Sequence, residues 1–285
     1  MIDLHAHTTA SDGDLSPAAL VARAAAHGVR VLAVTDHDTL AGVEDAMAAG
    51  TAHGVTVIPG IELTVTAAQG SFHLVGLFPH PRPAPLAGRL DELAHARELR
   101  ARRILELLDG LGMPVGMEDV RRHTTGTIGR PHIAQALVDA GHCADRREAF
   151  ERVLGDGRPA WIPQTGLAPA EAVRLVRDGG GAAVIAHPWS LRLGHRGVEA
   201  TAAALVRHGL VGLEVHRPEV LPDQRDAYAR IARRLGLVAS GGSDFHTPGA
   251  GAELGHTGTP GLPADACERL FTAIGQRVPS VHDHS

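Results

Sequence analysis

The sequence predicts an α/β protein whose sheet is interrupted by a mostly helical insert, and two observations carry this prediction. Short β-rich runs alternate with helical stretches at both ends of the chain, which is typical of βα units. Four prolines fall within residues 79–85, a density that neither a helix nor a central strand accepts, and the residues that follow are mostly helical. We therefore predict a discontinuous domain of residues 1–80 and 181–285 with one parallel α/β architecture, interrupted by an insert over 81–180.

Before the prolines, strand and helix patterns alternate. The predicted elements are, in order, a strand, a helix, a strand, a helix and two strands, over residues 2–4, 17–28, 29–35, 40–54, 55–63 and 72–78. In the insert, apolar residues spaced by three and four from Leu90 to Leu111 predict a long helix. Three more predicted helices follow, from Pro131, over 146–154 and over 169–178. The alternation then resumes, with strands over 182–186, 211–215 and 237–239 and helices over 199–208 and 224–235.

The composition is that of a folded chain with room for a large core. The chain has 285 residues and a mass of 29.8 kDa, which at about 150 residues per domain allows two domains or one barrel-sized domain with an insertion. Hydrophobic residues make up 44%, but no apolar run approaches the roughly 18 residues that cross a bilayer. The formal charge of −5 gives no global attraction to nucleic acid or anionic lipid. Phosphate binding must therefore be local, and we expect no membrane and no extended duplex as partner.

Two absences exclude whole classes of chemistry. All 27 basic residues are arginine, so the chain can supply no Schiff base, no P-loop lysine and no carbamylated lysine between two metals. The two cysteines, Cys143 and Cys267, are too few for a disulfide scaffold or a thiolate zinc site, which fits a reducing cytosol. The first residues contain neither the basic nor the apolar region of a signal peptide, so we expect a cytoplasmic protein.

Histidine is abundant, with 19 residues, and its placement predicts a site. Ionisable residues repeatedly follow the predicted strands: His5, His7, Asp36, His37, Asp38, Glu62, His187, Glu214, Asp244 and His246. The carboxyl ends of the strands in a parallel barrel share one rim, where active sites are built. We therefore expect these side chains to converge.

Each candidate residue also has a plainer explanation. His5 and His7 lie two apart, which puts two imidazoles on one side of a strand for one metal, or they are two unrelated polar residues. Asp12 would serve in a turn, His37 at a helix cap and His73 as a hydrogen-bonded core histidine. Glu62 ends an apolar strand, where a lone buried carboxylate is costly unless it is paired or metal-bound. Each of these explanations is adequate for a single residue, but together they do not explain why so many candidate ligands follow the predicted strands.

Five motifs, in order, resemble those of the PHP (polymerase and histidinol phosphatase) family of metal-dependent phosphoesterases. They are HAHT at 5–8, TDHDT at 35–39, GIE at 60–62, AHP at 186–188 and GSDFH at 242–246. The insert is similar to that of one branch, which includes nucleoside 3′,5′-bisphosphate phosphatases and 5′→3′ exoribonucleases acting on short RNA. The resemblance implies a distorted, TIM-like (β/α)7 barrel with the insert as a helical cap over the C-terminal rim.

The resemblance also implies a trinuclear metal site. It carries over three ligand sets: His5, His7, Glu62 and Asp244; Glu62, His73 and His187; and Asp12, His37 and His246. The family often has histidine where this chain has Asp12. Imidazole and carboxylate ligands without thiolate suit Mn²⁺, Zn²⁺ or Fe²⁺, and we expect about two to three ions with Mn²⁺ favoured. Amidohydrolase barrels commonly bridge two metals with a carbamylated lysine; because this chain has none, Glu62 takes the bridging role and phosphoester hydrolysis is favoured over amide hydrolysis.

Clustered divalent ions lower the pKa of a bound water to about 7 and so supply hydroxide at neutral pH. Glu62 and Asp244 are the predicted catalytic carboxylates. His256, just after the last ligands, is a candidate to protonate the leaving group, and its alternative is a surface loop histidine.

Arginines of the insert predict how substrate is bound. Arg97, Arg100 and Arg103 are spaced by three, so on a helix they span an arc of about 120°. Arg97 also occupies the otherwise apolar register, which a purely solvated run of charges would avoid. The alternative is a solvated basic face whose Arg97 side chain reaches to the surface.

Three further residues of the insert are candidates for binding phosphate. Arg130 and His132 flank Pro131 in a predicted first helical turn, where backbone N–H groups attract phosphate. Arg158 lies in a glycine-rich loop. Several arginines over a site that already takes one phosphate predict a second phosphate on the substrate, as in a 3′,5′-bisphosphonucleoside or the 5′ end of short RNA. The alternatives are a phosphatase for a metabolite such as histidinol phosphate and a non-catalytic metal-binding regulatory module.

Overall fold

The computed structural model describes residues 1–68, 70–259 and 261–277. In this part of the chain, seven strands form one sheet whose spatial order follows the sequence: β1 (Ile2–Asp3), β2 (Val31–Val34), β3 (Thr56–Ala67), β4 (Gly70–Leu77), β5 (Ala182–Ile185), β6 (Leu210–His216) and β7 (Val238–Gly241). Neighbouring strands are parallel except at β4, which runs antiparallel to both β3 and β5.

The antiparallel β4 corrects the expectation of a wholly parallel sheet. Only residues 68 and 69 separate it from β3, and a connection so short joins antiparallel strands, because a parallel pair needs a crossover of about a dozen residues or more. Both strands also run closer to the turn than the predicted 55–63 and 72–78. The hairpin brings Glu62 and His73 onto adjacent strands, with Thr64 opposite His73.

Helices connect and cover the strands. The α-helices of the described residues are α1 (Pro17–Ala26), α2 (Val43–His53), α3 (Ala87–Gly110), α4 (Met117–Arg121), α5 (Arg130–Asp139), α6 (Arg146–Ala149), α7 (Pro169–Asp178), α8 (Gly194–Val206), α9 (Pro222–Arg234) and α10 (Ala264–Ala273). A π-helical segment, Phe150–Leu154, continues α6, and a short 3-10 helix, Pro188–Leu191, follows β5. Local signals set the ends: the Ser16 side chain accepts from the Ala19 amide at the start of α1, and Gly54 ends α2 at a φ of 66°. None of the helices described here is long and apolar enough to cross a bilayer.

The sheet is curled so that its two edges approach each other. Ala6, after β1, pairs in parallel with Phe245, after β7, and the Asp244 amide donates to the His5 carbonyl at 2.8 Å. One hydrophobic cluster takes residues from β2, β3, β4, β5 and β7 and packs them against α10. Because strands from across the sheet meet on one helix, that face of the sheet is concave.

Two further hydrophobic clusters cover the outer face of the sheet. One packs α1 and α2 residues against β2, and the larger one packs α7, α8 and α9 against β3 to β6. The larger cluster includes Val173 and Val176 of α7 and Ile61 and Leu63 of β3, and these two elements are in contact. The predicted insert includes α7, yet this helix packs on the sheet.

The insert has a hydrophobic cluster of its own. It joins the C-terminal half of α3 to α4, α5, α6 and the π-helical segment, with Ile104, Leu108, Leu137 and Leu154 fully buried. The predicted helices from Pro131 and over 146–154 correspond to α5 and to α6 with its π-helical extension. Residues between α3 and Ala160 therefore pack largely on one another.

Candidate metal centre

Nine side chains converge at the edge of the sheet where the parallel strands end, some from those ends and some from the β3–β4 hairpin and a loop, and we call these nine the cluster. Its members are His5, His7, Asp12, His37, Glu62, His73, His187, Asp244 and His246. His5 and His7 follow β1, point to the same side because strand side chains alternate, and are fully buried. His37 follows β2, and Asp244 and His246 follow β7. The convergence expected from strand ends is what the structure has.

Glu62 lies at the centre of the cluster and is 1% exposed. Its Oε2 atom lies 3.3 Å from His5 Nε2, 3.2 Å from His7 Nε2 and 3.0 Å from His37 Nδ1. Its Oε1 atom lies 3.0 Å from His73 Nδ1 and 2.8 Å from His187 Nε2. Burial alone would raise the pKa of Glu62, but the surrounding imidazoles, His73 first, hold it well below its ordinary value. One carboxylate therefore touches five histidines.

Asp244 and Asp12 border Glu62 on two sides. Asp244 Oδ1 lies 3.0 Å from His7 Nε2 and 3.3 Å from His5 Nε2. Asp12 lies further from its neighbours, with 3.4 Å to His246 Nε2 and 3.7 Å to His37 Nε2. His7 and His37 each offer one ring nitrogen toward Glu62 and the other toward Asp12.

Three groups of these side chains have ligand atoms close enough to share an ion, each within 4.8 Å of one another: His5, His7, Glu62 and Asp244; His7, Asp12, His37 and His246; and His37, Glu62 and His73. The first group is the first ligand set implied by the resemblance. The second adds His7 to Asp12, His37 and His246. The third has His37 where the resemblance implies His187, which instead lies hydrogen-bonded to Glu62.

The donor atoms fit a cation. Six of them are buried with no hydrogen-bond partner among the described residues: His5 Nε2, His7 Nε2, Asp12 Oδ1, His37 Nδ1, His73 Nδ1 and Asp244 Oδ1. Buried polar atoms are almost always paired, so six orphans facing one another indicate a missing positive charge. Imidazole and carboxylate ligands without thiolate suit Mn²⁺, Fe²⁺ or Zn²⁺.

Outer side chains orient the cluster. Glu214 lies in β6, and its Oε1 atom is 2.7 Å from His5 Nδ1. The Ser190 Oγ atom lies 2.9 Å from His187 Nδ1. The His246 Nδ1 atom lies 2.8 Å from the Asp244 carbonyl. When these Nδ1 atoms carry the proton, each ring turns its Nε2 lone pair into the cluster.

Asp36 supports the cluster from below without joining it. It accepts from the Thr8 amide at 2.8 Å, from the Thr8 hydroxyl at 2.7 Å and from the Ser11 hydroxyl at 2.6 Å. These bonds fix the segment that follows His7 and carries Asp12. The sequence marks Asp36 only as one ionisable residue at a strand end.

Backbone strain is concentrated at this rim. In the described part of the chain, four residues other than glycine have a positive φ: Asp38, His187, Arg192 and Asp244. Two are cluster members, and Asp38 directly follows His37. Such conformations persist only where the surroundings enforce them, and they occur disproportionately at functional sites.

Arg217 is a site residue that the sequence reasoning missed. It is 3% exposed, donates to Asp244 Oδ2 at 2.9 Å and to Glu214 Oε2 at 3.4 Å, and its guanidinium carbon lies 5.0 Å from the centre of the Trp189 ring. The available signal was its place immediately after β6, the same position that singled out the cluster members.

A cavity of about 740 Å³ opens beside the cluster. His73 and His187 line it on the cluster side, and Arg100 and Arg130 line it on the insert side. Arg100 donates from Nε to the Ile162 carbonyl at 2.9 Å and has no ion pair with any described carboxylate. Burial, followed by the neighbouring charges of Arg130 and Arg97, lowers the pKa of Arg100 to about 10. Arg130 shares its charge with Asp156 at 3.0 Å.

The other predicted substrate-binding residues do not line this cavity. Arg97 is buried and donates to Asp38 Oδ2 at 2.7 Å and to the Thr64 hydroxyl at 3.1 Å, because the apolar register turns it into the fold. His132 is buried and accepts from the Gly129 amide at the start of α5. Arg97 therefore links α3 to Asp38 and to β3, and His132 caps the start of α5.

Arg103 and Arg158 are exposed and are not among the residues that line the cavity; Arg103 lies on the exposed face of α3 and Arg158 in a turn before Ala160. His256 is also exposed. A side chain on the preceding Gly255 would touch Val29 and Met1, which lie at the amino ends of β2 and β1. Gly255 therefore lies near the amino ends of these strands, whereas a side chain on Gly258 would touch the Arg217 carbonyl after β6. His256 lies between the two and is not a member of the cluster, and its role in protonating a leaving group stays a prediction.

The curled sheet and the cluster define a class of protein, the PHP-domain phosphoesterases. A model of the PHP domain matches residues 3–100. A protein from Chromobacterium violaceum, the 3′,5′-nucleoside bisphosphate phosphatase, is 36% identical over 259 residues, covering 90% of this chain and 91% of the relative. The chain belongs to the PHP family of metal-dependent phosphoesterases and is a hydrolase of phosphoric esters.

Two further proteins are similar over most of their length. The 5′–3′ exoribonuclease of Haemophilus influenzae is 36% identical over 256 residues, covering 89% of this chain and 92% of the relative. A solved structure from Bifidobacterium adolescentis, described as a metal-dependent phosphoesterase, superposes with a TM-score of 0.84 at 30% identity and covers 95% of this chain and 96% of its own. The insert is thus part of the similarity, along with the sheet.

Proposed function

We propose that the chain hydrolyses phosphate esters of small nucleotides that carry a second phosphate, such as 3′,5′-bisphosphonucleosides or the 5′ end of short RNA. The observation that carries this proposal is the cavity with two cluster histidines on one side and Arg100 and Arg130 on the other. The names of the relatives, a bisphosphate phosphatase and an exoribonuclease, support it. We propose no membrane or extended duplex as partner.

The nine cluster residues are the proposed metal ligands for two to three ions; eight of them form the three groups described above, and His187 adjoins them through Glu62. We propose Mn²⁺ as the preferred ion, with Zn²⁺ or Fe²⁺ as alternatives. Bound divalent ions would supply a hydroxide at neutral pH and neutralise phosphoryl oxygens. Glu62 and Asp244 are the proposed catalytic carboxylates. Glu62 belongs to two of the three groups of ligand atoms, and Asp244 is partly exposed at the edge of the cluster.

The protein contributes fixed geometry. Glu214 holds the His5 ring and Ser190 holds the His187 ring, so their Nε2 atoms stay aimed at Glu62. Arg217 holds the outer oxygen of Asp244 and leaves Oδ1 free to face His5 and His7. The ligands are thereby preorganised before substrate arrives, which removes reorganisation from the reaction.

Arg100 is the proposed contact for the second phosphate. Its pKa of about 10 leaves it protonated at neutral pH, and it forms no ion pair with a described carboxylate, although the charge of Asp156 acts on it from further away. A partly buried positive charge without an ion-pair partner is incompletely compensated, and a phosphate accepts charge-assisted hydrogen bonds from a guanidinium. Arg130 adds a second, partly neutralised charge on the same wall.

We also propose that the curled sheet is a distorted (β/α)7 barrel capped by the insert. The Ala6 bridge to Phe245 and the shared cluster on α10 support closure. The separate hydrophobic cluster supports a cap, drawn from the proposed insert 81–180 but without α7. The two cysteines lie in different hydrophobic clusters and are unpaired, which supports the proposed cytoplasmic location.

A phosphate-release screen with Mn²⁺ tests the function. It would compare 3′,5′-bisphosphonucleosides and 5′-phosphorylated oligoribonucleotides with cyclic nucleotides, sugar phosphates and histidinol phosphate. We expect the highest kcat/KM among the first two classes. Equal or higher kcat/KM for histidinol phosphate or simple sugar phosphates would overturn the proposed substrate class and leave the metal-dependent hydrolase in place.

A further inference from the structure

The chain has only two tryptophans, and both line the cavity beside the cluster. Aromatic residues make up just 3% of the chain, so two indoles in one polar cavity stand out. The other side chains around them include arginines, serines and a glutamine. A large aromatic ring partly exposed among such groups leaves apolar surface in water unless a ligand covers it.

Trp189 already has partners. Its ring packs on the Arg217 guanidinium at 5.0 Å and edge-on against the His187 ring, with 5.7 Å between ring centres. It lies in the short 3-10 helix after β5 that also carries Ser190. We therefore assign Trp189 to holding Arg217 and His187 in place.

Trp161 is different. Within the described residues its ring has no aromatic or cationic partner, and it is half-buried. It lines the large cavity and also a neighbouring one of about 180 Å³. Its backbone is nevertheless held, since its amide donates to the Arg158 carbonyl at 2.9 Å and the preceding Ala160 is fully buried in the cluster of the insert. The ring is thus presented to the cavity from a fixed backbone.

We propose that Trp161 is the platform on which the nucleobase of the substrate stacks. This rests on the proposed function, which it deepens by stating why the substrate is a nucleotide and not a bare sugar bisphosphate. A neutral aromatic base suits an indole face, whereas the phosphates suit the cluster and Arg100. Base stacking on an aromatic side chain contributes about 1–3 kcal/mol and tolerates any base, because every base has a π-face.

The first test compares two substrates on the same enzyme preparation with Mn²⁺: adenosine 3′,5′-bisphosphate and its abasic analogue, 1-deoxyribose 3,5-bisphosphate. The ratio of their kcat/KM values does not depend on how much of a variant is folded. We expect Trp161→Ala to lower this ratio about tenfold, mainly through KM, and Trp161→Phe to restore most of it. A ratio that Trp161→Ala leaves within about twofold of the unsubstituted enzyme would overturn the proposal.

The second test needs no turnover. In Trp189→Phe the only tryptophan is Trp161, and in Trp161→Phe it is Trp189, so excitation at about 295 nm, where tyrosine absorbs little, reports on one indole at a time. We expect adenosine 5′-monophosphate to quench the fluorescence of the first variant saturably and that of the second far less, with ribose 5-phosphate quenching neither. Quenching confined to Trp189, or absent from both, would contradict a stack on Trp161. Hydrolysis of the abasic analogue without quenching would refute the stack alone, whereas quenching without hydrolysis of any bisphosphate would refute the proposed function alone.

Discussion

Two regions face the same cavity: the rim, which is the edge of the sheet that carries the cluster, and the wall, which is the surface of the insert formed by Arg100 and Arg130. They differ in how deeply their side chains are buried and in what holds them. At the rim, His5, His7 and Glu62 are buried, and the outward ring nitrogen of His5 is bonded to Glu214 at 2.7 Å. On the wall, Arg100 and Arg130 are partly exposed and anchored mainly to backbone carbonyls of the insert. Under the proposed function, the cluster would carry out the chemistry, whereas Arg100 and Arg130 would select which phosphate ester is bound.

The largest expected effect comes from the centre of the rim. Glu62→Gln keeps the shape but removes the negative charge that five imidazoles surround. We expect kcat with Mn²⁺ to fall about a thousandfold, measured by phosphate release. Glu44→Gln, at an exposed carboxylate paired with Arg82, is the matched control and should keep full activity. A Glu62→Gln enzyme with more than about a tenth of the original kcat would contradict this role.

The junction between the two regions is the buried pair of Arg97 and Asp38. Arg97→Ala leaves Asp38 buried with only Thr64 as partner, so we expect a loss of about 3 kcal/mol in the free energy of unfolding, measured by urea denaturation. Arg102→Ala, on the same helix with an exposed partner, should cost less than about 1 kcal/mol. Equal losses for the two variants would show that Arg97 does not join insert to rim.

Orientation of the ligands should matter less than their charge. Glu214→Gln weakens the hold on His5 while leaving every cluster member in place. We expect Mn²⁺ affinity to fall about 10- to 100-fold, measured by calorimetric titration. Glu219→Gln, which removes a half-exposed partner at the other end of Arg217, is the control and should bind Mn²⁺ normally. Unchanged affinity in Glu214→Gln would mean that Glu214 does not support the site.

The smallest effect belongs to the wall and should be selective. Arg100→Ala should raise KM for a 3′,5′-bisphosphonucleoside about tenfold and change KM for a simple monoester little, because only the former has a second phosphate. Arg103→Ala, three residues along the same helix and exposed, should change neither. If Arg100→Ala raised KM equally for both substrates, Arg100 would not bind the second phosphate.

The sequence predicts the rim better than the wall, for physical reasons. His5 and His7 lie together because strand side chains alternate, and residues that follow neighbouring parallel strands share an edge, so the spacing alone brings most of the cluster together. The β3–β4 hairpin could not be predicted in this way, because the apolar pattern of β4 does not distinguish an antiparallel strand from a parallel one. His73 reaches Glu62 from within β4, away from any strand end.

The wall depends on helix rotation, which a spacing of three leaves undetermined. Arg97, Arg100 and Arg103 look equivalent in sequence, yet one is buried in an ion pair, one lines the cavity and one is exposed. The rotation is set by packing of Ala101, Ile104 and Leu108 against the rest of the insert, which depends on residues far along the chain. Arg217 escaped notice for a similar reason, because its partners Asp244 and Glu214 are known only from the fold.

Counting bound metal tests the central claim most directly. Protein stripped with chelator, reloaded with Mn²⁺ and desalted would be analysed by plasma mass spectrometry beside Glu62→Gln prepared in parallel. We predict at least two Mn²⁺ per chain for the unsubstituted protein and fewer for the variant. One equivalent or none, or the same number in both proteins, would contradict a multinuclear centre built around Glu62.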